Sequence, residues 1–188
     1  MKEFNEQTTN SKTAYIMPGC NLISYDGFSP KLANGVFAAS GAQLIGNLTI
    51  GEESSIWFNT TIRADCNYIV IGKKTNIQDG TVIHVTNQVH ATTIDDEVTI
   101  GHSVVLHGCH IGKRCLIGMG AIVMDGVEVG EECLVAAGSL LTPGKNFPPR
   151  HLIKGSPAIA VRPLTASEIE GLKASYEQYI DYKNKYIP

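Results

Sequence analysis

An aliphatic residue recurs every six positions through most of this chain. The series runs Leu44, Ile50, Ile56, Ile62, Ile71, Ile77, Ile83, Ile100, Leu106, Ile111, Ile117, Val123, Val129, Val135 and Leu141, with breaks after Ile62, Ile83 and Leu106. A small or β-branched residue often stands four places later, as at Ser54, Thr60 and Ala121. Such an internal repeat sets the architecture before any local pattern does.

A period of six is typical of neither an amphipathic helix nor an alternating strand. It predicts a coil with three short flat faces, one hexapeptide per face, whose aliphatic and small residues both point inward. Glycine often follows the aliphatic, as at Gly51 and Gly118, and we expect these glycines at corners where a positive φ is required. The predicted fold is all-β: a left-handed parallel β-helix of hexapeptide repeats, with about six coils of about 18 residues.

The regular repeat ends near residue 145. Residues 1–145 are predicted to form the β-helix domain with an N-terminal lead-in, and residues 146–188 a proline-rich exit and a C-terminal α-helix. Thr165 and Glu168 have the spacing of a capping box that opens this helix. The apolar stripe expected to pack on the β-helix is Ile169, Leu172, Tyr176, Tyr179 and Ile180.

Net charge and the lengths of apolar runs limit which kinds of partner the chain is expected to bind. The chain has 188 residues and a net charge of −3, which argues against nucleic acid and anionic membrane surfaces. No apolar run has the length of a membrane span. The first 12 residues lack the apolar stretch of a signal peptide, so we expect no membrane partner and a cytoplasmic protein.

Four of the five cysteines fall on inward small-residue positions of the repeat. They are Cys66, Cys109, Cys115 and Cys133. We expect these to be small buried apolar residues rather than redox or metal-binding groups. Cys20 precedes the repeat, and the pattern does not place it.

Candidate chemistry lies where the repeat breaks. His84 and His107 each follow an inward aliphatic and are expected to point outward. They are 23 residues apart, which is one coil of about 18 plus a loop of about five extruded from residues 86–96. Adjacent strands lie about 4.8 Å apart, so the two imidazoles are predicted to stack and to share one metal ion.

His102 lies five residues before His107, on the preceding face, and points away from the pair within its own chain. A closed three-fold ring of chains would bring it to the pair of the next subunit. Three imidazoles would then leave an open position for water, as in a catalytic zinc site. His90, His110 and His151 are expected to be ordinary solvated histidines.

Several segments of the chain resemble the gamma-class carbonic anhydrases and their close relatives. They are Arg63–Asp65, Asn76–Gly80, His84–Val85, Gly101–His102, Leu106–Cys109, Ile117–Gly120 and Gly155–Ala158. The resemblance implies a homotrimer in which His84 and His107 of one chain and His102 of its neighbour hold the metal. Zn²⁺ is the expected ion, and Fe²⁺ and Co²⁺ are alternatives because imidazole suits all three.

The resemblance also assigns roles around the metal. Arg63 and Asp79 resemble the residue pair that links neighbouring subunits, and Asp65 resembles the residue that supports this pair. Gln78 resembles the residue that hydrogen-bonds the metal-bound water or the substrate. The other interpretation of the charged residues is an interface salt bridge without catalytic duty.

The implied reaction is the reversible hydration of CO₂ to bicarbonate by a metal-bound hydroxide. The chain departs from the best-characterised type of the family, which carries a glutamate where Cys66 stands and another in an acidic loop after the first histidine ligand. Here that loop begins with residues 85–88, Val-Thr-Asn-Gln. Activity is therefore expected to be reduced or absent if no other group moves the proton.

Two other functions remain open. A hexapeptide-repeat acyltransferase would bind an acyl-CoA donor between subunits and use one histidine as a general base. A catalytically silent trimer would act as a scaffold. Metal content separates the anhydrase from the acyltransferase, and turnover separates it from the scaffold.

Overall fold

A computed structural model describes residues 13–188. The expectation about the first 12 residues lies outside the described residues. The strands are β1 Tyr15–Ile16, β2 Asn21–Ile23, β3 Lys31–Leu32, β4 Phe37–Ala38, β5 Gln43–Ile50, β6 Ser55–Ile56, β7 Thr61–Ile71, β8 Asn76–Ile77, β9 Val82–His84, β10 Thr92–Ile94, β11 Thr99–Ile100, β12 Val105–His107, β13 His110–Ile111, β14 Leu116–Ile117, β15 Ile122–Val123, β16 Glu128–Val129, β17 Leu134–Val135, β18 Leu140–Leu141, β19 Asn146–Phe147, β20 His151–Gly155 and β21 Ala158–Pro163. One helix, α1 Ala166–Asn184, follows them.

The strands pair in parallel from turn to turn and form a β-solenoid of about eight turns. One face has the order β1-β4-β6-β8-β11-β14-β17-β20-β21. The second sheet covers the other two faces, because β7 crosses between them: residues 61–62 pair with β9 and residues 69–71 with β10. The predicted all-β parallel β-helix with a C-terminal helix is confirmed.

Strands outside the regular repeat extend the solenoid beyond the predicted six coils. At the N-terminal end β1 pairs with β4, and β2 and β3 pair with β5. At the other end β19 pairs with β16 and β20 with β17, so the parallel ladder continues past residue 145. β21 then folds back antiparallel on β20 before the helix. The division into residues 1–145 and 146–188 stays a prediction.

The core is a set of aliphatic ladders inside the coil. On the face that carries β9 and β12, the stacked residues are Leu44, Ile62, Ile83, Leu106, Val123 and Leu141. Each is 0% exposed. Burying one such side chain contributes about 1.5–3 kcal/mol, so the repeat itself holds the turns in register.

The glycines that follow the aliphatics are required for a reason other than the one expected. Gly51 and Gly118 do not have a positive φ. A Cβ on Gly118 would instead lie 2.5 Å from the backbone nitrogen of Ala137 on the next turn. The left-handed corner conformation falls on other residues, such as Lys74 and Arg114. Close approach between turns therefore selects these glycines.

The cysteines separate into two groups. Cys109, Cys115 and Cys133 are buried, as predicted, and the described cysteines are all free thiols. The prediction for Cys66 was wrong in part, because its side chain is only half-buried at the edge of the core. Cys66 lies in the segment of β7 where pairing with β5 loses its regular register. The six-residue period therefore does not determine which way its side chain points.

Helix α1 begins with the predicted capping box, in which Thr165 and Glu168 satisfy each other's backbone N–H groups. Leu172 and Tyr176 of the expected stripe are buried, and the helix contacts β6 and β11. Near its end the buried Lys183 ammonium contacts Glu53 at 2.7 Å, a docking contact that the apolar pattern does not indicate. Among the described residues, no helix combines the length and apolarity that a bilayer span needs.

Candidate metal centre

His84 and His107 end two neighbouring strands of the same face. β9 and β12 pair in parallel, and His84 lies directly opposite His107 in the ladder. The ring centroids are 5.1 Å apart, and His84 Nδ1 lies 3.1 Å from His107 Nε2. The extra residues between them leave the coil as a loop that closes with a bridge between Thr86 and His90. The structure thus brings this predicted pair together.

A carboxylate holds the outer nitrogen of each ring. His84 Nε2 lies 2.9 Å from Asp65 Oδ1, and His107 Nδ1 lies 2.8 Å from Asp125 Oδ1. A carboxylate only accepts hydrogen bonds, so each outer nitrogen is the donor of its ring. In the neutral form, the inner nitrogen of each ring then carries a lone pair.

These two inner nitrogens fit a metal ion. Two lone pairs that face each other repel unless a proton or a cation lies between them. An extra proton would make one ring an imidazolium, whereas a metal leaves both rings neutral. With Zn–N bonds of 2.0–2.1 Å, two ligands on a tetrahedral zinc stand about 3.3 Å apart. The observed 3.1 Å is within a few tenths of an ångström of that spacing.

The carboxylates beside the rings remain ionised. Burial raises the pKa of Asp65, but hydrogen bonds from His84 and Arg63 outweigh it and lower the pKa to about 2. The Arg63 guanidinium pairs with the second oxygen of this carboxylate. Burial likewise raises the pKa of Asp125, and hydrogen bonds from Thr86 and His107 outweigh it, so the net shift is downward. Two fixed negative charges therefore flank the imidazole pair.

His102 lies elsewhere on the surface of the same chain. Its Nδ1 contacts Asp79 Oδ2 at 2.8 Å, and both side chains are about two-fifths exposed. Within the part of the chain described, one group of three metal-binding side chains converges within 4.8 Å, and it is Asp65, Cys66 and His84. His102 does not belong to it. Its role as a ligand stays a prediction.

Asp79 contacts His102 rather than the imidazole pair, whereas the Gln78 side chain contacts Asn76. Gln78 is buried, and its Nε2 donates to Asn76 Oδ1 at 3.1 Å, on the face that helix α1 covers. Asp79 accepts from the backbone N–H of Ser103 through its carbonyl. Arg63 contacts Asp65 and not Asp79 within the chain.

The predicted site is thus divided into two half-sites on one chain. The first, the imidazole half-site, consists of Arg63, Asp65, His84, His107 and Asp125. The second, the His102 half-site, consists of Asp79 and His102. Each half-site carries groups that the other lacks.

The sequence analysis did not single out Asp125 or Thr86. Asp125 follows His107 by 18 residues, whereas the ladder pairs Leu106 with Val123, so one turn spans 17 residues here. Thr86 Oγ1 donates to the same carboxylate oxygen. The repeat places Asp125 on the turn after His107, but it does not determine that the carboxylate points at the imidazole.

A cleft of about 350 Å³ opens beside the imidazole half-site. Asp65 and Cys66 form one wall, and Tyr25, Phe28 and Tyr68 contribute aromatic side chains. The cleft therefore gives solvent access to Asp65, which contacts His84.

A β-solenoid with an outward imidazole pair held by carboxylates defines a hexapeptide-repeat protein with a candidate metal centre. Residues 108–143 match the family model described as bacterial transferase hexapeptide (six repeats). Residues 92–120 match the model described as hexapeptide repeat of succinyl-transferase. Both matches lie within the regular coils.

Comparison with whole proteins is more specific. The chain is 43% identical over 160 residues to a carbonic anhydrase from Geobacillus kaustophilus, covering 85% of this chain and 87% of the relative. It is 41% identical over 172 residues to Protein YrdA of Escherichia coli, covering 88% and 94%. A hexapeptide transferase family protein from Anaplasma phagocytophilum superposes with a TM-score of 0.86 at 42% identity, covering 91% and 100%. The chain belongs to the gamma-carbonic-anhydrase-like family of hexapeptide-repeat proteins.

Proposed function

We propose that the protein is a metal-dependent carbonic anhydrase that interconverts CO₂ and bicarbonate at a centre shared between subunits of a homotrimer. The observation that carries the proposal is the imidazole pair: two inner nitrogens 3.1 Å apart, with each outer nitrogen held by a carboxylate. Relatives named as carbonic anhydrases support the same activity.

In this proposal His84 and His107 of one subunit and the partner subunit's His102 hold the metal. A zinc ion bound by three neutral imidazoles would supply a water whose pKa falls from about 15.7 to near 7. Asp65 and Asp125 hold the two rings in place, and Arg63 holds Asp65. Asp79 arrives with His102, and the role of Gln78 toward the substrate rests on the family resemblance.

The trimer is supported by an outward apolar stripe on the same face. Val82, Val105 and Ile122 stack in register on β9, β12 and β15 and are 43%, 37% and 41% exposed. Val82 and His84 lie two residues apart on one strand, so they share the outward face. A closed ring would bury the stripe and would join the imidazole half-site of one chain to the His102 half-site of the next.

The test uses metal content and complementation. Protein purified without chelator or affinity nickel should contain about one zinc, iron or cobalt per chain by elemental analysis, and stopped-flow assays should show CO₂ hydration. His102→Ala and His84→Ala should each lose the metal. Mixed trimers of the two variants should recover part of it, since some interfaces then hold three intact histidines. His151→Ala is the control and should keep full metal content.

Two results would overturn the proposal. A folded trimer that refuses added zinc would exclude the metal centre, and mixed trimers without metal would exclude sharing between chains. A metal-loaded trimer without turnover would favour the scaffold function. Acyl transfer is the second candidate because the matching family models describe transferases, and a metal-free protein that acylates a substrate from acyl-CoA would favour it.

A further inference from the structure

Thr86, His107 and Asp125 meet at one corner of three neighbouring turns. Thr86 follows β9, His107 ends β12 and Asp125 follows β15, and these three strands are consecutive in the sheet. The Thr86 hydroxyl donates to Asp125 Oδ1, and His107 Nδ1 lies 2.8 Å from the same oxygen. One carboxylate oxygen therefore accepts from both neighbours.

The backbone makes room for this carboxylate. Gly108 follows His107 in the left-handed conformation, with φ of 54°. A Cβ at this position would lie 2.5 Å from Asp125 Oδ1 and 2.7 Å from His90 Cβ. The backbone N–H of Gly126 also donates to the carbonyl of Gly108 at 2.7 Å. The corner is thus closed around Asp125 by contacts that do not involve the imidazole.

We infer that Asp125, held by Thr86, is a positioning residue that keeps His107 in the Nδ1–H tautomer with Nε2 facing His84. A neutral imidazole has one N–H, and the carboxylate fixes it on the outer nitrogen. The inner nitrogen is then free to bind a metal. Carboxylates that hold a ligating histidine in this way typically change metal affinity by about 10–100-fold. The inference rests on the proposed metal centre, although its tautomer part concerns the metal-free protein.

The first measurement is the tautomer of His107 by nitrogen-15 NMR of the imidazole ring in the metal-free protein. The wild type should show the Nδ1–H form. Asp125→Ala should move the population toward the Nε2–H form. Asp125→Asn keeps an acceptor oxygen without the charge and should show a smaller change, and it also serves if the alanine variant folds poorly. Asp95→Ala is the matched control, because Asp95 contacts His110 at 3.3 Å on a different face.

The second measurement is zinc affinity by competition with a chromophoric chelator. Asp125→Ala should bind zinc about 10–100-fold more weakly. Thr86→Val should weaken binding in the same direction by less. Asp95→Ala should bind as the wild type does, and circular dichroism melting of all metal-free variants checks that the fold is intact.

An unchanged tautomer in Asp125→Ala would overturn the inference. So would a shifted tautomer together with unchanged zinc affinity, or an equal loss of affinity in Asp95→Ala. A wild-type protein that binds no zinc would refute the proposed function instead, and the tautomer measurement would still decide whether Asp125 positions the ring.

Discussion

At the scale of single residues, the contacts of the ring nitrogens separate the histidines of this chain. His110 has a carboxylate on both sides, with Glu128 at 2.8 Å from Nδ1 and Asp95 at 3.3 Å from Nε2. Burial lowers the pKa of His110, but these hydrogen bonds outweigh it and raise the pKa. His84 and His107 each have one carboxylate and one nitrogen that faces the other ring. A free inner nitrogen is what makes this pair a candidate ligand set.

Gly108 provides a test at this scale. Gly108→Ala would place a Cβ 2.5 Å from Asp125 Oδ1. We expect the carboxylate to shift away from His107 and zinc affinity to fall. The positive φ also costs an alanine about 1–2 kcal/mol of stability.

The matched control is Gly138→Ala. Gly138 has φ of 68°, but nothing lies within 4 Å of its added Cβ. This variant should lose similar stability in thermal melts and keep its zinc affinity. Equal zinc affinity in the two variants would contradict the role given to the corner at Gly108.

At the scale of elements, charged contacts fix both ends of helix α1 to its surroundings. Glu168 accepts from the backbone N–H of Thr165 at 2.8 Å and pairs with Arg162 through both carboxylate oxygens. At the other end the buried Lys183 ammonium contacts Glu53 at 2.7 Å and donates to the carbonyl of Gly35 at 2.9 Å. The helix is therefore held by specific contacts as well as by its apolar stripe.

The start of the helix predicts a dependence of stability on pH. The Arg162 guanidinium and the Thr165 N–H lower the pKa of Glu168 from 4.5 to about 2. Since the folded pKa is depressed, its contribution to stability is present above pH 4.5 and is lost as pH falls toward 2. Glu168→Gln should therefore melt at a lower temperature than the wild type at neutral pH, and the difference should shrink through that range. The Arg162 side chain of this pair is 46% exposed, so the effect should be modest.

Glu177→Gln is the control on the same helix. Among the residues that the structure describes, Glu177 forms its ion pair with Lys173 at a long 3.9 Å. Its substitution should change the melting temperature little at either pH. If Glu168→Gln lowers the melting temperature equally at pH 7 and pH 2, ionisation of Glu168 does not account for the loss of stability.

At the scale of the whole molecule, the two half-sites and the outward apolar stripe predict how chains assemble. Val105→Asp would place a charge in the middle of the stripe, and burying an unpaired carboxylate is costly. We expect a monomer by light scattering, with the circular dichroism spectrum of the wild type. The monomer should also contain less metal, because half-sites on separate chains cannot combine.

Ile159→Asp is the control at this scale. Ile159 on β21 is 63% exposed and belongs to the nine-stranded sheet, whereas the stripe lies on the twelve-stranded sheet. The variant should stay trimeric and keep its metal. A trimeric Val105→Asp protein with full metal content would show that the subunits meet elsewhere.

The amino-acid sequence by itself determined the solenoid, its buried ladders and the stacking of His84 on His107. A six-residue period repeats one coil after another, so it fixes which residues face inward and which residues are neighbours one turn apart. The same arithmetic placed Cys109, Cys115 and Cys133 in the core.

Only the tertiary structure decided the details at corners and irregular strands. The direction of the Cys66 side chain depends on a register shift between β5 and β7, and the need for glycine after the aliphatic depends on the backbone of the next turn. The carboxylate on His107 comes from a turn at Asp125, where side-chain direction is set by contacts rather than by strand period. A linear repeat determines which residues are neighbours on successive turns. The orientation of an imidazole ring is set by the side chains and backbone that pack around it.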